Sequence, residues 1–170
     1  MVLVGDCDPD STGSVPREQL EKWNSEGVIE WWGHKSDMAG IFINSHIACL
    51  PSYHEGTPRV LLEAASCGRA IVTTNVPGCR QIVKEKEGGL TVPVKNPQAL
   101  AESISFLVNN PGLRKKMGKR GREIILTEFS DDIIISQTLA LYNRLLINTR
   151  FEQKPSEINI NKNFESHSNN

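Results

Sequence analysis

The sequence predicts an α/β fold built on a doubly wound, Rossmann-like parallel sheet. Short apolar segments of strand length alternate along the chain with longer segments of helical periodicity. Proline and glycine stand at the boundaries of the best-defined helix, at Pro58 and Gly68, where each has a structural role. Strands separated by helices at this rhythm run parallel and carry helices on both faces of the sheet.

The first part of the chain is expected to form two strands and two helices around a polar loop. Residues 2–5 are apolar and indicate a short buried strand, and the Asp, Ser, Gly and Pro residues that follow indicate a loop. The predicted elements are a strand at 2–5, a loop at 6–16, a helix at 17–24, a strand at 28–32 and a helix at 38–44.

The middle of the chain gives the clearest pattern. A strand is predicted at residues 47–50, a loop at 52–57, a helix from Pro58 to near Gly68, and a strand at 70–74. Proline suits the first helical position because its missing N–H has no partner there, and glycine suits the position just past the end because it accepts a positive φ.

The last part is predicted to be mainly helical and to end in a polar tail. A turn at residues 76–78 and a strand at 89–92 precede helices at 97–108, 113–128 and 131–147. The last helix has an apolar face formed by Ile134, Ile135, Leu139, Tyr142 and Leu146. We expect one domain at residues 1–149 and a disordered tail at residues 150–170, which are rich in Asn, Ser, Glu and Lys.

The composition limits the classes of function. A chain of 170 residues suffices for one domain with a core, and 19 basic against 20 acidic residues leave a net charge of −1, with no overall attraction for nucleic acid. The four cysteines lack the spacing of zinc ligands. No segment has the roughly 20 apolar residues of a membrane span, and no signal-peptide pattern opens the chain. We therefore expect a cytoplasmic protein that binds any anionic ligand at a local site.

The loop at residues 52–57 and the start of the following helix indicate an anion site. In a doubly wound sheet, ligands gather at the carboxyl ends of the strands, where loops lead into helix N-termini. The N–H groups around Gly56 and Thr57 and in the first helical turn have no partner within the helix, so a phosphate is a natural occupant. Glycine lets the backbone approach a ligand, and Thr57 suits an N-cap or a phosphate contact.

Two carboxylates bracket this anion site, Glu55 in the loop and Glu63 in the second helical turn. Neither favours phosphate, because like charges repel, but carboxylates accept hydrogen bonds from hydroxyls. A nucleotide sugar has the matching layout, with hydroxylated rings on both sides of its phosphates. Taken alone, Glu63 would be a helix-surface charge and Glu55 a loop carboxylate that interacts with the helix dipole.

The two carboxylates have the E-x7-E spacing of the retaining glycosyltransferases of family 4, and their surroundings, LPSYHEGTPRVLLEAASCGRAIVTTNVPGCRQIV, resemble the donor-site segment of that family. VLVGDCDPD, WGHKSDM and GGLTVPVKNPQALAESI extend the resemblance over roughly residues 1–148. The likeness is greatest to bacterial enzymes that build surface polysaccharides or lipid-linked oligosaccharides. It implies the C-terminal, donor-binding half of a GT-B fold, without its first strand and helix.

The resemblance also implies a role for each site residue. Glu55 would contact the hydroxyls of the donor hexose, as the candidate catalytic residue, and Glu63 would hold the ribose hydroxyls. The loop at Gly33 and His34 would lie against the base. The backbone expected to approach sugar and diphosphate runs through Gly56, Thr57, Pro58, Arg59 and Val60. The implied substrate is a nucleotide sugar, with UDP as the expected nucleotide. Transfer in this family retains the anomeric configuration and uses no metal ion or other cofactor.

Two parts that the resemblance implies have no counterpart in this sequence. They are the N-terminal domain that binds the acceptor and a basic Arg/Lys pair that neutralises the leaving diphosphate. Arg59 and Arg80 are the remaining local cations, and neither is assigned that role. We expect weak nucleotide binding and no transfer by this chain alone. The alternative is a non-catalytic nucleotide-binding or regulatory module, and a dehydrogenase is disfavoured because no G-x-G-x-x-G follows a strand.

Two further patterns have ordinary explanations. Asp6-Cys7-Asp8 and Asp8-Pro9-Asp10 fit D-x-D, which can hold a divalent ion, but aspartate is common in turns, so no metal site is predicted. The basic cluster of the helix at 113–128 is first interpreted as a solvated face, and second as a surface that attracts anionic lipid headgroups. Its members are Arg114, Lys115, Lys116, Lys119, Arg120 and Arg122.

Overall fold

Strands and helices alternate along the chain in the computed structural model, which describes residues 1–8, 10 and 13–152, with side chains to residue 147. Within that part of the chain the elements are β1 (Val2–Leu3), α1 (Arg17–Ser25), β2 (Glu30–Trp31), α2 (Met38–Ile43), β3 (Ile47–Leu50), α3 (Arg59–Ser66), β4 (Ala70–Thr74), α4 (Pro77–Val83), β5 (Gly89–Val92), α5 (Pro97–Asn109), α6 (Pro111–Glu128) and α7 (Asp131–Glu152). The bounds of β3, β4 and β5 are those predicted from the sequence.

All strand pairs described are parallel, which confirms the predicted fold class. β1 pairs with β2 in a two-stranded sheet, and β3, β4 and β5 pair in that order in a three-stranded sheet. Doubly wound sheets commonly have the strand order 3-2-1-4-5-6. The orders β2-β1 and β3-β4-β5 match the two outer parts of that arrangement.

The β1 strand is exposed, so the prediction of a buried strand at residues 2–5 is wrong. Val2 and Leu3 are 39% and 38% exposed. A strand is buried when neighbouring strands flank it and helices cover it, and within the described chain β1 is paired with β2 alone. Apolar composition indicated a strand correctly, but burial depends on neighbouring strands and helices that the segment itself does not contain.

Helices cover both faces of the three-stranded sheet. Successive side chains of a strand point to opposite faces, and β4, whose five residues are all buried, shows this alternation. Ile71 packs with residues of α2, α3 and α4. Ala70 and Val72 pack with Leu107 of α5 and Met117 of α6. The sheet is therefore a middle layer between two helical layers, as a doubly wound fold requires.

The N-terminus of α3 lies one residue later than predicted. Pro58 is the N-cap residue, with φ −69° and ψ 107°, and Arg59 is the first helical residue. Thr57 is therefore outside the helix, and its prediction as an N-cap is wrong. The fixed φ of proline is compatible with both positions, which is why the sequence could not distinguish them.

α3 ends at Ser66, and Gly68 lies just past its C-terminus, as predicted. Gly68 has φ +68°, a conformation that favours glycine. The N–H of Gly68 donates to the carbonyl of Ala65 at 2.8 Å, and the N–H of Arg69 donates to the carbonyl of Ala64 at 3.0 Å. These two bonds form the Schellman motif, which satisfies the last carbonyls of the helix.

Residues 77–83 form a helix where the sequence predicted a turn at residues 76–78. Pro77 is the first residue of α4, a position that proline favours. Cys79, Ile82 and Val83 are buried on the inner side of the helix. Because a helix this short is marginal alone, burial of that side stabilises it and overrides the local turn preference of Pro-Gly.

The described chain divides into two units, one of residues 1–129 and a second that begins at Ser130. α7 is the described part of the second unit. Its predicted apolar face is exposed, with fractions between 46% and 65% for Ile134, Ile135, Leu139, Tyr142 and Leu146. The tail predicted at residues 150–170 lies outside the described residues after the last turn of α7. Among the helices that are described, none combines the length and the apolar content needed to cross a membrane.

Candidate functional site

The predicted donor loop lies at the carboxyl edge of the three-stranded sheet and is fastened there by two buried threonines. Thr73 Oγ1 donates a hydrogen bond to the carbonyl of Leu50, the last residue of β3, at 2.7 Å. Thr74 Oγ1 donates to the carbonyl of Ser52, two residues further along the loop. The end of β4 therefore holds the first part of the loop in place.

Glu55, the predicted catalytic residue, is half-buried in this loop, and its side chain is anchored. Ser52 Oγ donates a hydrogen bond to Glu55 Oε1 at 2.6 Å, a length typical of a hydroxyl bound to a carboxylate. A carboxylate accepts about four hydrogen bonds. This anchored carboxylate therefore retains capacity for the hydroxyls of a ligand.

Gly78, in the first turn of α4, lies against the backbone of the same loop. A β-carbon at this position would be 1.9 Å from the carbonyl oxygen of Gly56 and 2.6 Å from that of Glu55. No side chain fits at these distances, so glycine alone allows so close an approach. The unpredicted helix α4 therefore forms one wall of the candidate site.

Cys79, the next residue of α4, is fully buried and close enough to Glu55 to be affected by its charge. Burial raises the pKa of the Cys79 thiol above its ordinary value. Hydrogen bonds with Thr73 and Thr74 lower this pKa, and the charge of Glu55 raises it. With burial as the largest effect, the thiol stays neutral and adds no second negative charge beside Glu55.

An open cleft of about 610 Å³ lies at this edge of the sheet. Its lining comes from the Glu55 loop, the turn between β4 and α4, and the segment after β5: Tyr53, His54, Glu55, Gly56, Asn75, Val76, Pro77 and Val94. The volume is in the range of small-molecule sites. Of the residues predicted from the sequence, Glu55 and Gly56 line this cleft.

The remaining residues of the motif follow Glu55 along the chain into α3. Thr57 and Arg59 are exposed, Pro58 is buried, and Val60 and Glu63 are half-buried. Pro58 has no side-chain oxygen that could accept from the first N–H groups of α3, so these groups can bind an anion. Glu63 is in the second turn of the helix, as predicted.

Gly33 and His34, predicted to lie against the base, follow β2 in the smaller sheet. Gly33 has φ +63°, and its carbonyl accepts a hydrogen bond from the N–H of Gly5 at 2.9 Å, which joins the loops after β1 and β2. His34 is exposed. A cleft of about 590 Å³ adjoins them, lined by Trp32, Lys35, Ser36, Asp37, Gly40, Ile41 and Asn44. It shares no described lining residue with the Glu55 cleft, so the structure does not unite the two groups in one cleft.

Tyr53 and Lys95 lie at this edge of the sheet and were not among the site residues predicted from the sequence. Lys95 Nζ is 5.7 Å from the centroid of the Tyr53 ring, and both residues line a further cleft of about 300 Å³ at the same edge. Lys95 has φ +57°, which is uncommon for a residue other than glycine. It lies in the loop just after the end of β5, so the rule that placed the Glu55 loop at the ends of strands could have identified it.

Arg80, one of the two local cations, has protein partners. Its Nη1 donates to the carbonyl of Asn75 at 3.0 Å and to the Asn75 side-chain oxygen at 2.9 Å. The backbone N–H of Asn75 donates to the carbonyl of Val92 at 2.8 Å, which joins the loop after β4 to the end of β5. Arg80 thus stabilises the loop after β4, whereas Arg59 is exposed at the start of α3.

The aspartates of the D-x-D patterns have turn and ion-pair partners. Asp8 Oδ1 accepts from the backbone N–H of Asp10 at 3.0 Å, as in an Asx turn. Asp6 Oδ1 is 3.2 Å from Arg17 Nη2. Within the described residues, no group of three or more His, Cys, Asp or Glu is placed to hold a metal ion. These contacts support the interpretation of the aspartates as turn residues.

Two arginines of the basic cluster on α6 contact the ends of other helices. Arg114 Nη1 donates to the carbonyl of Leu107 at the end of α5 at 2.8 Å. Arg122 Nη1 donates to the carbonyl of Ser66 at the end of α3, also at 2.8 Å. Both cations stabilise the negative ends of helix dipoles, so a structural role explains why arginine stands at these two positions of the basic cluster.

The other members of the cluster differ in their partners. Arg120 pairs with Glu87 at 2.8 Å and with Glu123 at 3.4 Å. The three lysines of α6 are exposed: Lys115, Lys116 and Lys119. The positive charge available to an external partner is therefore concentrated on the lysines.

Comparison with known proteins assigns the chain to a family. The sequence model of the family described as glycosyl transferases group 1 matches residues 1–124. A Campylobacter jejuni protein named N,N'-diacetylbacillosaminyl-diphospho-undecaprenol alpha-1,3-N-acetylgalactosaminyltransferase is 35% identical over 147 residues, which are 86% of this chain and 38% of that protein. The capsular polysaccharide biosynthesis glycosyltransferase CapM of Staphylococcus aureus is 33% identical over 113 residues, 66% of this chain and 30% of that protein. The chain thus spans less than two fifths of either relative.

Solved structures agree with the fold. Sucrose-phosphate synthase from Thermosynechococcus elongatus superposes with a TM-score of 0.75 at 28% identity, over 86% of this chain and 38% of that chain. HepE from Anabaena, solved in complex with UDP, gives a TM-score of 0.73 at 21% identity, over 84% and 40%. Both are GT-B glycosyltransferases, which confirms the predicted half of a GT-B fold.

Proposed function

This chain belongs to the glycosyl transferases group 1 family, and we propose that it is the nucleotide-sugar-binding domain of a retaining glycosyltransferase. Its donor is a UDP-sugar, from which a hexose or an N-acetylhexosamine moves to a glycan or a lipid-linked acceptor. The acceptor binds an N-terminal domain that is not part of this sequence, in keeping with the 38% of the Campylobacter relative that the chain spans.

The arrangement of Glu55 and α3 carries this proposal. The anchored Glu55 carboxylate lies at the carboxyl edge of the sheet, in the loop that leads into the start of α3. The first N–H groups of α3 can bind phosphate, and Glu63 follows one turn later on the same helix. A carboxylate that accepts hydrogen bonds from hydroxyls, an anion site and a second such carboxylate thus follow one another along the chain. The hexose, diphosphate and ribose of the donor have the same order.

The relatives support the choice of donor and acceptor. HepE was solved with UDP and with UDP-glucose. The Campylobacter relative is named for N-acetylgalactosamine transfer to a diphospho-undecaprenol-linked acceptor, and CapM is named for capsular polysaccharide biosynthesis. A UDP-linked hexose or N-acetylhexosamine and a glycan or lipid-linked acceptor are the substrates consistent with these names.

We further propose that the chain binds its donor but does not complete transfer. The leaving diphosphate needs positive charge at its phosphates, and such stabilisation is often the largest catalytic contribution. The α3 N-terminus supplies partial charge, Arg59 is exposed beside it, and Arg80 is hydrogen-bonded to Asn75. The basic pair expected from the family is not in this sequence. No metal ion takes its place in the proposed reaction, which uses no cofactor.

The proposed location is cytoplasmic, with contact between α6 and the inner face of the membrane. The exposed Lys115, Lys116 and Lys119 are the members of the basic cluster that can face an anionic surface. A lipid-linked acceptor would bring an enzyme of this kind to that surface. The overall charge of −1 gives no general attraction to anions, so any contact depends on this local group.

Calorimetric titration of this chain with UDP, GDP and ADP tests the donor site. We expect UDP to bind most tightly, and Glu63→Ala to weaken UDP binding by about tenfold or more, because a hydrogen bond to a charged group contributes about 1.5–3 kcal/mol. Glu102→Ala, an exposed helical glutamate on α5, is the matched control and should leave the affinity unchanged. Absence of nucleotide binding, or equal effects of the two substitutions, would contradict the proposal.

A transfer assay separates the enzyme domain from a regulatory nucleotide-binding module. The chain should bind UDP-sugar without transferring sugar, whereas a version extended by the N-terminal domain of its own protein should transfer it. Transfer by the chain alone would refute the proposed inactivity. Nucleotide binding without transfer by the extended protein would instead establish the non-catalytic module, the alternative class of function.

A further inference from the structure

We propose that Ser52 and Thr74 are positioning residues that hold the Glu55 carboxylate in the orientation that binds the donor hexose. The proposal deepens the proposed function and rests on its assignment of Glu55 to the hexose. It assigns a role to two hydroxyl side chains outside the E-x7-E motif, and the role follows from a continuous set of contacts between β4 and the carboxylate.

The contacts begin in the rigid centre of the domain. Thr74 is the last residue of β4 and is 3% exposed, so its hydroxyl must find a partner inside the protein. That partner is the carbonyl of Ser52. The Ser52 hydroxyl in turn donates to Glu55 Oε1 at 2.6 Å. One end of this relay is the buried strand and the other end is the carboxylate in the cleft.

The loop backbone is fixed on both sides of Glu55. On the N-terminal side, Thr74 holds the Ser52 carbonyl. On the C-terminal side, the carbonyls of Glu55 and Gly56 are packed against Gly78 of α4. The main chain therefore has little freedom, and the remaining freedom of Glu55 is rotation of its own side chain.

Side-chain rotation is what the Ser52 hydroxyl restricts. A glutamate loses rotamer entropy when it is ordered, and a carboxylate ordered before binding does not incur that cost in the complex. The bond uses Oε1 and leaves the carboxylate able to accept hydroxyls. Ser52 thus acts on the hexose part of donor binding and has no direct effect on the UDP part.

Paired titrations with UDP and UDP-hexose isolate this effect. The probes are UDP, UDP-glucose and UDP-N-acetylglucosamine, and the measured quantity is the affinity gained from the sugar. Ser52→Ala should reduce that gain by about three- to tenfold, the equivalent of a hydrogen bond, while UDP affinity stays the same. Thr74→Val also loosens the loop backbone that leads to the anion site, so it should weaken UDP-hexose binding more than UDP binding. Ser52→Thr and Thr74→Ser, which keep the hydroxyls, should restore the gain. Equal losses for UDP and UDP-hexose would overturn the proposal, because a general structural defect affects both.

Nuclear magnetic resonance of the free chain tests the positioning without any ligand. We expect Ser52→Ala to shift the Glu55 side-chain carboxyl resonance and to increase side-chain motion at Glu55, with Glu63 unchanged as the internal control. Ser52→Thr should return the resonance to its original position. An unaltered Glu55 signal in Ser52→Ala would overturn the positioning role even if UDP binds. If no nucleotide binds but the Glu55 signal responds as expected, the donor site fails and the relay stands as a local structural feature without the proposed role.

Discussion

The α-carbon of Gly78 in α4 is packed against the carbonyl oxygen of Gly56 in the donor loop, leaving no room for a side chain at position 78. The space around the two glycines differs. A β-carbon on Gly78 would be 1.9 Å from the Gly56 oxygen, whereas a β-carbon on Gly56 would have no atom within 4 Å. Glycine at 78 is therefore required by the protein itself, and glycine at 56 is free to serve a ligand.

Gly78→Ala should lower both stability and donor affinity. The added methyl group must push the Glu55–Gly56 backbone away from α4, and overpacking of this kind costs about 1–3 kcal/mol. Chemical denaturation measures the free energy of unfolding, and titration with UDP-glucose measures the binding loss.

Gly56→Ala is the matched control from the other side of the same contact. It should leave the free energy of unfolding nearly unchanged and weaken UDP-glucose binding, because its β-carbon would occupy the space through which the ligand approaches. If the two variants have equal stability, the close contact of α4 with the loop is not a constraint on the fold.

Local signals in the sequence predicted the elements of the three-stranded sheet because chemistry and geometry agree there. β3, β4 and β5 are short apolar segments bounded by breakers, and Gly68 ends α3 in the Schellman motif that glycine favours. The prediction failed at α4, where Pro77-Gly78 is a turn signal locally. A helix forms there because Cys79 and Ile82 are buried by tertiary packing, which a local pattern does not contain.

The candidate site was predictable as far as one continuous segment could show it. Glu55 and Gly56 line the cleft as expected from their loop. Ser52 is in the same loop, but its hydrogen bond to Glu55 depends on the side-chain torsion angles of both residues. No rule of sequence spacing gives these angles. Asn75 and Lys95 come from later loops that reach the same edge because the strands are parallel. The ends of separate strands come together only through the topology of the sheet, which no single segment of sequence shows.

Gly118 is expected to be required for packing of α6 against the end of α3. A β-carbon on Gly118 would be 2.0 Å from the carbonyl oxygen of Gly68. In the middle of a helix, glycine is about 1 kcal/mol less favourable than alanine, so Gly118→Ala should gain helix propensity and still lose about 1–3 kcal/mol through the clash. Gly112→Ala, on the same helix with open space around it, should be neutral or slightly stabilising. Thermal and urea denaturation of the two variants distinguish these outcomes, and a stabilised Gly118→Ala would disprove the contact.

The buried thiol of Cys79 should make the protein less stable at alkaline pH. Burial raises the pKa of this thiol above its ordinary value of 9.0, with smaller opposing effects from Thr73 and Thr74. The folded protein therefore keeps a proton that the unfolded chain releases, so the contribution of Cys79 is complete below about pH 8.5 and declines as pH rises towards the raised pKa. In Cys79→Ala the part of the decline that comes from this thiol should be absent, while any part from Cys49, whose pKa is also raised by burial, should remain. Urea denaturation between pH 7 and pH 10 should show the stability difference between wild type and variant narrowing as pH rises, and a constant difference would contradict the shift.

The lysines of α6 give a test of membrane contact that is independent of nucleotide binding. Each lysine near an anionic bilayer contributes about 1 kcal/mol, so replacing Lys115, Lys116 and Lys119 with glutamine should reduce the partition coefficient onto phosphatidylglycerol-containing vesicles by about a hundredfold.

A second triple variant, with lysines replaced elsewhere on the domain, shows whether vesicle binding depends on the α6 surface or on the total charge of the chain. Replacing the exposed lysines Lys22, Lys35 and Lys86 with glutamine changes the net charge by the same amount and should leave vesicle binding nearly unaltered. Cosedimentation with phosphatidylcholine vesicles, with and without phosphatidylglycerol, measures both. Because the chain has a net charge of −1, attraction to anionic vesicles requires a local basic surface. Equal losses in the two triple variants, or no binding to anionic vesicles by the unmodified chain, would exclude α6 as a membrane-facing helix.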